Sequence, residues 1–243
     1  MSDFSPSIKS AMVFGASGAI GRAFVDTLAS KPQLQHLYAI SRKAESYRSP
    51  TITPLTLNTF DDDSLKALAA TINQPIDLII IATGVLHTEA YQPEKSLKQL
   101  TEANAINMFQ TNTLIPALII KHFSPKLRKK SPSILATLSA RVGSISDNHL
   151  GGWYSYRTSK AALNMMIKCA AIEIARKEPQ HILVGIHPGT VDSNLSKPFQ
   201  AHVKEGQLQS PEASVKQLIA TLCKLSSSDS GHCFAYDGSE IFP

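Results

Sequence analysis

Cysteine is scarce in this chain: Cys169, Cys223 and Cys233 are the only three among 243 residues. An odd number, at spacings that fit no zinc site, excludes a disulfide framework and points to a reducing compartment. Long hydrophobic runs are also missing. Leu78–Ala82 and Leu114–Ile120 fall far below the ~18 residues needed to span a bilayer. The opening MSDFSPSIKS carries an acid and no apolar core, so it does not read as a secretory signal. No Pro/Gly/Ser-rich linker, internal repeat or low-complexity tract interrupts the chain, which points to one domain over 1–243 with a tail at 1–9. The histidines show no metal spacing, so no metal site is expected. A Gly-x-Ser-x-Gly elbow is absent, which argues against an α/β-hydrolase. Charge imbalance is small, 24 basic against 19 acidic residues. Lys126–Lys130 reads as a solvated loop, so neither a nucleic-acid partner nor a membrane is expected. These absences leave a soluble, cytoplasmic α/β protein.

What is present alternates between two periods. Short apolar runs at Ala11–Phe14, Leu37–Ile40, Ile52–Leu57, Leu78–Ala82, Ser133–Ser139, Ile182–Ile186 and Cys233–Tyr236 read as strands. Between them, helical spacing appears at Ala19–Ala29, Asp61–Ile72, Tyr156–Lys177 and Glu212–Leu225. Leu97–Phe123 reads as one long helix bent near Pro116. Strand and helix in alternation predict a doubly wound, mostly parallel, Rossmann-type sheet of about seven strands with helices on both faces.

The first strand runs into Gly15-Ala16-Ser17-Gly18-Ala19-Ile20-Gly21. A glycine-rich turn between strand and helix lets backbone N–H groups approach a pyrophosphate, with the helix dipole in support. The next residue pair, Arg22-Ala23, lacks the Lys-Ser/Thr of a nucleoside-triphosphatase loop. After the second strand the chain reads Ser41-Arg42-Lys43, with no acid to bind a ribose 2′-hydroxyl. Arg42, with Ser17, suits a 2′-phosphate instead. NADP(H) is therefore the expected cofactor, with NAD(H) also admissible.

Tyr156 and Lys160 are four residues apart and share a helical face. A neighbouring ammonium favours the phenolate and is expected to lower the tyrosine pKa toward neutrality, which would fit it for acid–base work. His187 reads as a packed or solvent-bonded histidine, and Trp153 as a candidate wall of a substrate pocket.

Gly15–Gly21, Tyr156-xxx-Lys160 and the segment His187–Ser193 together resemble the short-chain dehydrogenase/reductase superfamily. Ser139–Asn148, Gly151–Tyr154 and Tyr156–Asn164 look most like its C-factor-like and sniffer-like carbonyl reductases. The resemblance implies Tyr156 as the acid–base residue, Lys160 on the nicotinamide ribose and Asn112 anchoring a proton-relay water. It places Gly15, Ser17, Gly18, Ala19, Ile20, Gly21, Ser41, Arg42, Asn58, Thr59, Ala82, Thr83, Gly84, Pro188, Val191 and Ser193 around the cofactor, and a substrate lid at 193–210. It implies a small carbonyl or alcohol substrate and a homodimer or homotetramer. The C-factor likeness also admits a dinucleotide-binding signalling protein with little turnover.

The sequence departs from the superfamily pattern at several points. Phe14 replaces a threonine, Gly18-Ala19 stands where Ser-Gly is usual, and Ile81-Ala82-Thr83-Gly84 replaces Asn-Asn-Ala-Gly. An apolar contact from Phe14 to Ile81 or Ala82 would link the first and third changes. The serine that orients the substrate carbonyl should stand at 140, where this chain has Ala140. Ser139 is the expected substitute, with Ser144 the next choice and no serine the third.

Overall fold

The computed structural model describes residues 8–203 and 206–243. The chain runs β1 (Ser10–Phe14), α1 (Ala19–Ala29), β2 (His36–Ser41), β3 (Ile52–Thr56), α2 (Asp62–Thr71) and β4 (Leu78–Ile81). There follow α3 (Glu102–Phe109), α4 (Ile115–Phe123), β5 (Ser133–Leu138), α5 (Tyr154–Ala175) and β6 (His181–His187). The short β7 (Thr190–Val191) and β8 (Leu208–Gln209), then α6 (Pro211–Leu222) and β9 (Cys233–Ala235), complete the fold.

Seven strands form one sheet in the order β3-β2-β1-β4-β5-β6-β9, and all its ladders are parallel. Every residue of β1, β4 and β5 is buried, as a strand covered on both faces requires. Side chains alternate between the faces. Ala11 and Val13 join Phe24 and Leu28 of α1 and Leu218 of α6 in one core. Met12 and Phe14 join Leu65 of α2, Ile119 and Phe123 of α4 and Leu163 of α5 in the other. Pro54, which has no N–H to donate, lies in the edge strand β3, where a ladder bond is dispensable. Phe14 shares its core with Ile81 and also packs its ring on Phe123 at 4.8 Å and Phe60 at 6.3 Å.

The expected long helix is broken. Leu97–Gln99 is an isolated 3-10 turn, Thr101 caps α3 by accepting from the Asn104 N–H, and Gln110–Leu114 is a π-helical turn. The helix is interrupted at this π turn, which ends two residues before Pro116 in the first turn of α4. At the amino terminus, Ile8 is buried and the Lys9 N–H is hydrogen-bonded, so the expected tail does not include them; residues 1–7 lie outside the described residues. No helix among the described residues is long and apolar enough to cross a membrane, and they hold no candidate metal-binding group.

Asp77, just before β4, locks three segments together. Its Oδ2 accepts from the N–H groups of Lys9 and Ser10, each at 2.9 Å, and its carboxylate pairs with Arg128. Burial pushes its pKa up, but the Arg128 guanidinium and the two N–H groups outweigh that and hold it below the ordinary value. A depressed carboxylate adds stability above its unfolded pKa and loses it as pH falls through the folded value. Asp77→Asn is therefore expected to cost about 1–3 kcal/mol at neutral pH and to flatten the acid limb of urea-unfolding stability below about pH 4. An acid limb as steep as the parent's would remove Asp77 as its source.

Candidate active site

The carboxyl ends of β1, β4 and β5 open onto a cavity of about 340 Å3. Its floor is the turn after β1. Gly15 has φ +79°, and a Cβ there would stand 2.8 Å from the Ala82 carbonyl oxygen; only glycine meets both demands. Gly18 caps α1 with no side chain, which leaves the first N–H groups of the helix directed at whatever fills the turn. Ser17 to Gly21, Ala82 to Gly84, Tyr156, Lys160, Pro188 and Ser193 line this cavity. Thr83 Oγ1 is enclosed there without a hydrogen-bond partner. A backbone cradle, an orphaned hydroxyl and a buried cation fit a dinucleotide.

Five expected residues stand off this wall; one of them, Val191, lines a neighbouring cavity instead. Ser41 ends β2 and Arg42 follows it, beside the turn: the N–H groups of Gly15 and Ala16 donate to Ile40 O at 2.9 and 3.0 Å. Arg42 is exposed, while Ser41 Oγ donates to Lys43 O at 2.5 Å. Asn58 is exposed and Thr59 bonds Asp61 and Ser64 at the start of α2. Arg22, which follows the glycine turn, lies 4.6 Å from the Tyr47 ring centroid and 3.6 Å from Glu45.

Tyr156 and Lys160 lie on α5, whose start depends on an unusual turn. Gly151, Gly152 and Trp153 all have positive φ, Trp153 at +51°. Such a conformation costs a bulky residue about 1–2 kcal/mol. The Trp153 N–H donates to Glu94 O at 2.5 Å, and its ring packs edge-on against Tyr156 and Phe199. Glu94 is itself buried and accepts from the Ser155 N–H at 3.2 Å and from the Ser155 hydroxyl. This anchor fixes the first turn of α5, and with it Tyr156.

The Lys160 ammonium donates to Leu138 O at 2.9 Å and sits 5.9 Å from the Tyr156 ring centroid. Burial pulls the lysine pKa down to about 8. Burial pushes the tyrosine up, to about 12, contrary to the lowered value expected from the sequence. The ammonium is held toward the Leu138 carbonyl, and desolvation of the phenolate dominates. The phenol thus keeps its proton at neutral pH. The π turn directs Asn112 inward: its Oδ1 accepts from the Val85 N–H at 2.8 Å, and its Nδ2 donates to Val85 O at 2.9 Å and Ser159 Oγ at 3.2 Å.

A second cavity, of about 430 Å3, adjoins the first and shares Tyr156 with it. Ala140, Trp153, His187, Val191 and Phe199 are among its lining residues. Phe199 comes from the 3-10 turn Lys197–His202, within the expected lid at 193–210, whose residues 204–205 lie outside the described residues. The expected role of Ser139 is not supported by its contacts. Ser139 lines both cavities, but its hydroxyl donates to Asn164 Oδ1 at 2.6 Å and its Cβ lies on the Gly185 side. Alternation carries Ala140 to the tyrosine, and the two are buried in one cluster. Ser144 Oγ accepts from the Asp147 N–H at 3.1 Å and pairs with Ser146, and Ser144 is not among the residues lining either cavity.

A dinucleotide cradle opening beside a buried tyrosine–lysine pair defines the class: a nicotinamide-dependent oxidoreductase. The chain belongs to the short chain dehydrogenase family, whose model matches residues 9–204. It is 28% identical to the C-signal of Myxococcus xanthus over 178 residues, covering 73% of this chain and 99% of the relative. Its fold matches that of the carbonyl reductase Sniffer of D. melanogaster, with TM-score 0.81, 22% identity and coverage of 97% and 100%. It also matches an NADPH-bound carbonyl reductase from chicken fatty liver, with TM-score 0.83, 24% identity and full coverage of both chains.

Proposed function

We propose that the protein interconverts a carbonyl compound and a secondary alcohol with NADP(H), and that Tyr156 is the acid–base group. The observation that carries this reading is the buried phenol shared by the two cavities, raised to about 12. Such a group holds a proton at neutral pH and can deliver it to an oxygen that gains charge. Ser17–Gly21, Ala82–Gly84, Lys160, Pro188, Val191 and Ser193 hold the cofactor, which supplies a hydride when bound. Asn112 anchors a water of the proton path, and Lys160 stands beside Tyr156. The apolar wall formed by Trp153, Phe199, Leu86 and Ala140 favours an aromatic or bulky apolar carbonyl substrate. Ile106, Phe109 and Leu114 near α3, with Met165, Met166 and Ile172 of α5, are exposed and suit the subunit contacts of a homodimer or homotetramer. A cytoplasmic setting accords with the three unpaired cysteines.

The test is a panel of aromatic and aliphatic carbonyl compounds with NADPH and NADH, followed by cofactor absorbance. Turnover of at least one aryl ketone or aldehyde is expected, and none across the panel would refute the reading. The likeness to C-signal favours a second reading, a dinucleotide-binding signalling protein with little turnover; cofactor binding without turnover on that panel would select it.

Cofactor choice rests on Arg42, exposed at the end of β2 beside the glycine turn. A charge-assisted bond to the 2′-phosphate is worth about 1.5–3 kcal/mol, about 10- to 150-fold in affinity. Arg42→Ala is expected to weaken NADPH by that factor and leave NADH unchanged in calorimetric titration. Tighter binding of NADH than NADPH by the unaltered protein would overturn the assignment.

A further inference from the structure

The substrate cavity lacks a donor that its chemistry calls for. A carbonyl oxygen that gains charge during reduction is best met by two donors, and loss of one often costs about 10²-fold. Tyr156 supplies one. The position facing it on the turn after β5 is Ala140, a buried methyl group. The serines on either side are committed elsewhere, Ser139 to Asn164 and Ser144 to Ser146 and the Asp147 N–H.

His187 ends β6 and lines the same cavity as Tyr156 and Ala140. Its Nδ1 is completely enclosed and has no hydrogen-bond partner. Nε2 is not among the enclosed unpartnered atoms. A buried N–H without an acceptor is the rarer and costlier orphan, so the enclosed nitrogen is the one left bare. The proton therefore belongs on Nε2, the nitrogen free to meet a ligand; the tautomer follows from this hydrogen-bond accounting. The ring is also uncharged at neutral pH. Burial, with help from the Arg141 and Lys160 cations, pulls its pKa down to about 4 against the opposing pull of Asp237.

The geometry points to His187 as a catalytic hydrogen-bond donor, its Nε2–H meeting the substrate carbonyl oxygen in place of the hydroxyl that Ala140 cannot offer. The imidazole gives up no proton. Tyr156 protonates the oxygen, the cofactor's hydride goes to carbon, and the histidine bond strengthens as charge builds and weakens as the alcohol forms. Because Nδ1 is enclosed and bare, the ring has no internal partner to pass a proton to, which fits a fixed donor and not a relay. This inference rests on the carbonyl-reductase reading.

The test uses the full chain, NADPH and the best aryl ketone of the panel. His187→Ala is expected to lower kcat/KM about 10²-fold, while NADPH affinity by fluorescence titration stays within about twofold because the imidazole acts on the substrate oxygen. His187→Gln, which keeps an N–H donor, is expected to retain more activity than His187→Ala. The decisive variant is Ala140→Ser in the His187→Ala background. A hydroxyl restored opposite Tyr156 is expected to recover about tenfold or more of the lost efficiency. The pH profile of the unaltered enzyme is expected to show no inflection in the ordinary imidazole range. Near-normal kcat/KM in His187→Ala would overturn the inference, and so would a loss that Ala140→Ser does not recover, since packing alone would explain it. Failure of the unaltered protein to reduce any ketone would instead refute the carbonyl-reductase reading together with this one.

Discussion

Tyr156→Phe is expected to lower turnover by at least about 10²-fold, the lower end for loss of a general acid–base group, with little change in NADPH affinity. The ring is buried between Trp153 and the cluster of Leu86, Met108 and Ala140, and phenylalanine fills that space without the oxygen. The packing that sets α5 is therefore retained, and only the proton donor is lost. The direction of the tyrosine pKa sharpens the expectation. A phenol raised to about 12 is protonated throughout the working range, so reduction should not decline as pH rises moderately above neutrality for want of an acid. Steady-state rates and a fluorescence titration of NADPH, run on the same preparation, separate chemistry from binding. Near-normal turnover would remove Tyr156 from the mechanism; an equal loss of cofactor affinity would make the residue a cofactor contact and not a proton donor.

Gly21→Ala is expected to be the most damaging change outside the catalytic pair. A Cβ at Gly21 would stand 2.1 Å from Gly15 O and 2.8 Å from Gly15 C. Both atoms are backbone, so relief requires α1 to move off the turn that cradles the cofactor. Overpacking of this kind costs about 1–3 kcal/mol, which at this chain length lowers Tm by about 2–12 °C. The same displacement spoils the cradle, and NADPH affinity should fall by about 5- to 150-fold if a similar free energy is lost on binding. Gly18→Ala is the control. Gly18 has φ −76°, and a Cβ there meets only Gly15 O, at 3.4 Å. Its thermal stability should stay close to the parent's. Calorimetry of the two variants, each with and without NADPH, tests the distinction. Equal stability of the two would mean that the helix yields freely at Gly21.

Much of the framework is legible because the residues leave little choice. Leu78–Ile81 is apolar at every position and becomes a strand buried on both faces. Ala19–Ala29 begins and ends where its spacing predicts, between a glycine cap and Ser30. Other features depend on contacts that spacing does not report. Nothing in Gln110–Leu114 announces a π turn; it forms where Asn112 closes two bonds with Val85. The start of α5 falls two residues before the expected Tyr156 because Trp153 takes a conformation that bulky residues avoid. The sequence brings Tyr156 and Lys160 onto one face, yet the sign of the tyrosine shift follows from burial, which is a property of the folded site. Ser139 is the clearest case. Its neighbours in sequence suggest a catalytic serine, while its direction is decided by Asn164, 25 positions away. His187 opens the His187–Ser193 segment that carries the family resemblance, but nothing in that segment marks it as a donor.

The all-parallel sheet has a consequence for how the chain reaches this fold. Antiparallel neighbours can be joined by a tight hairpin, but parallel ones require a crossover. β1 must find Leu78–Ile81 of β4, with Ala11 opposite Leu78, before the central ladder exists. Loop-closure entropy is spent before such distant contacts repay it, so folding belongs on the millisecond-to-second scale of non-local topologies. During that interval Leu78–Ile81 and Ile134–Leu138 are unpaired apolar strands, the kind of segment that associates between chains. Recovery of native protein after dilution from denaturant should therefore fall as chain concentration rises, even where the folded state is fully stable.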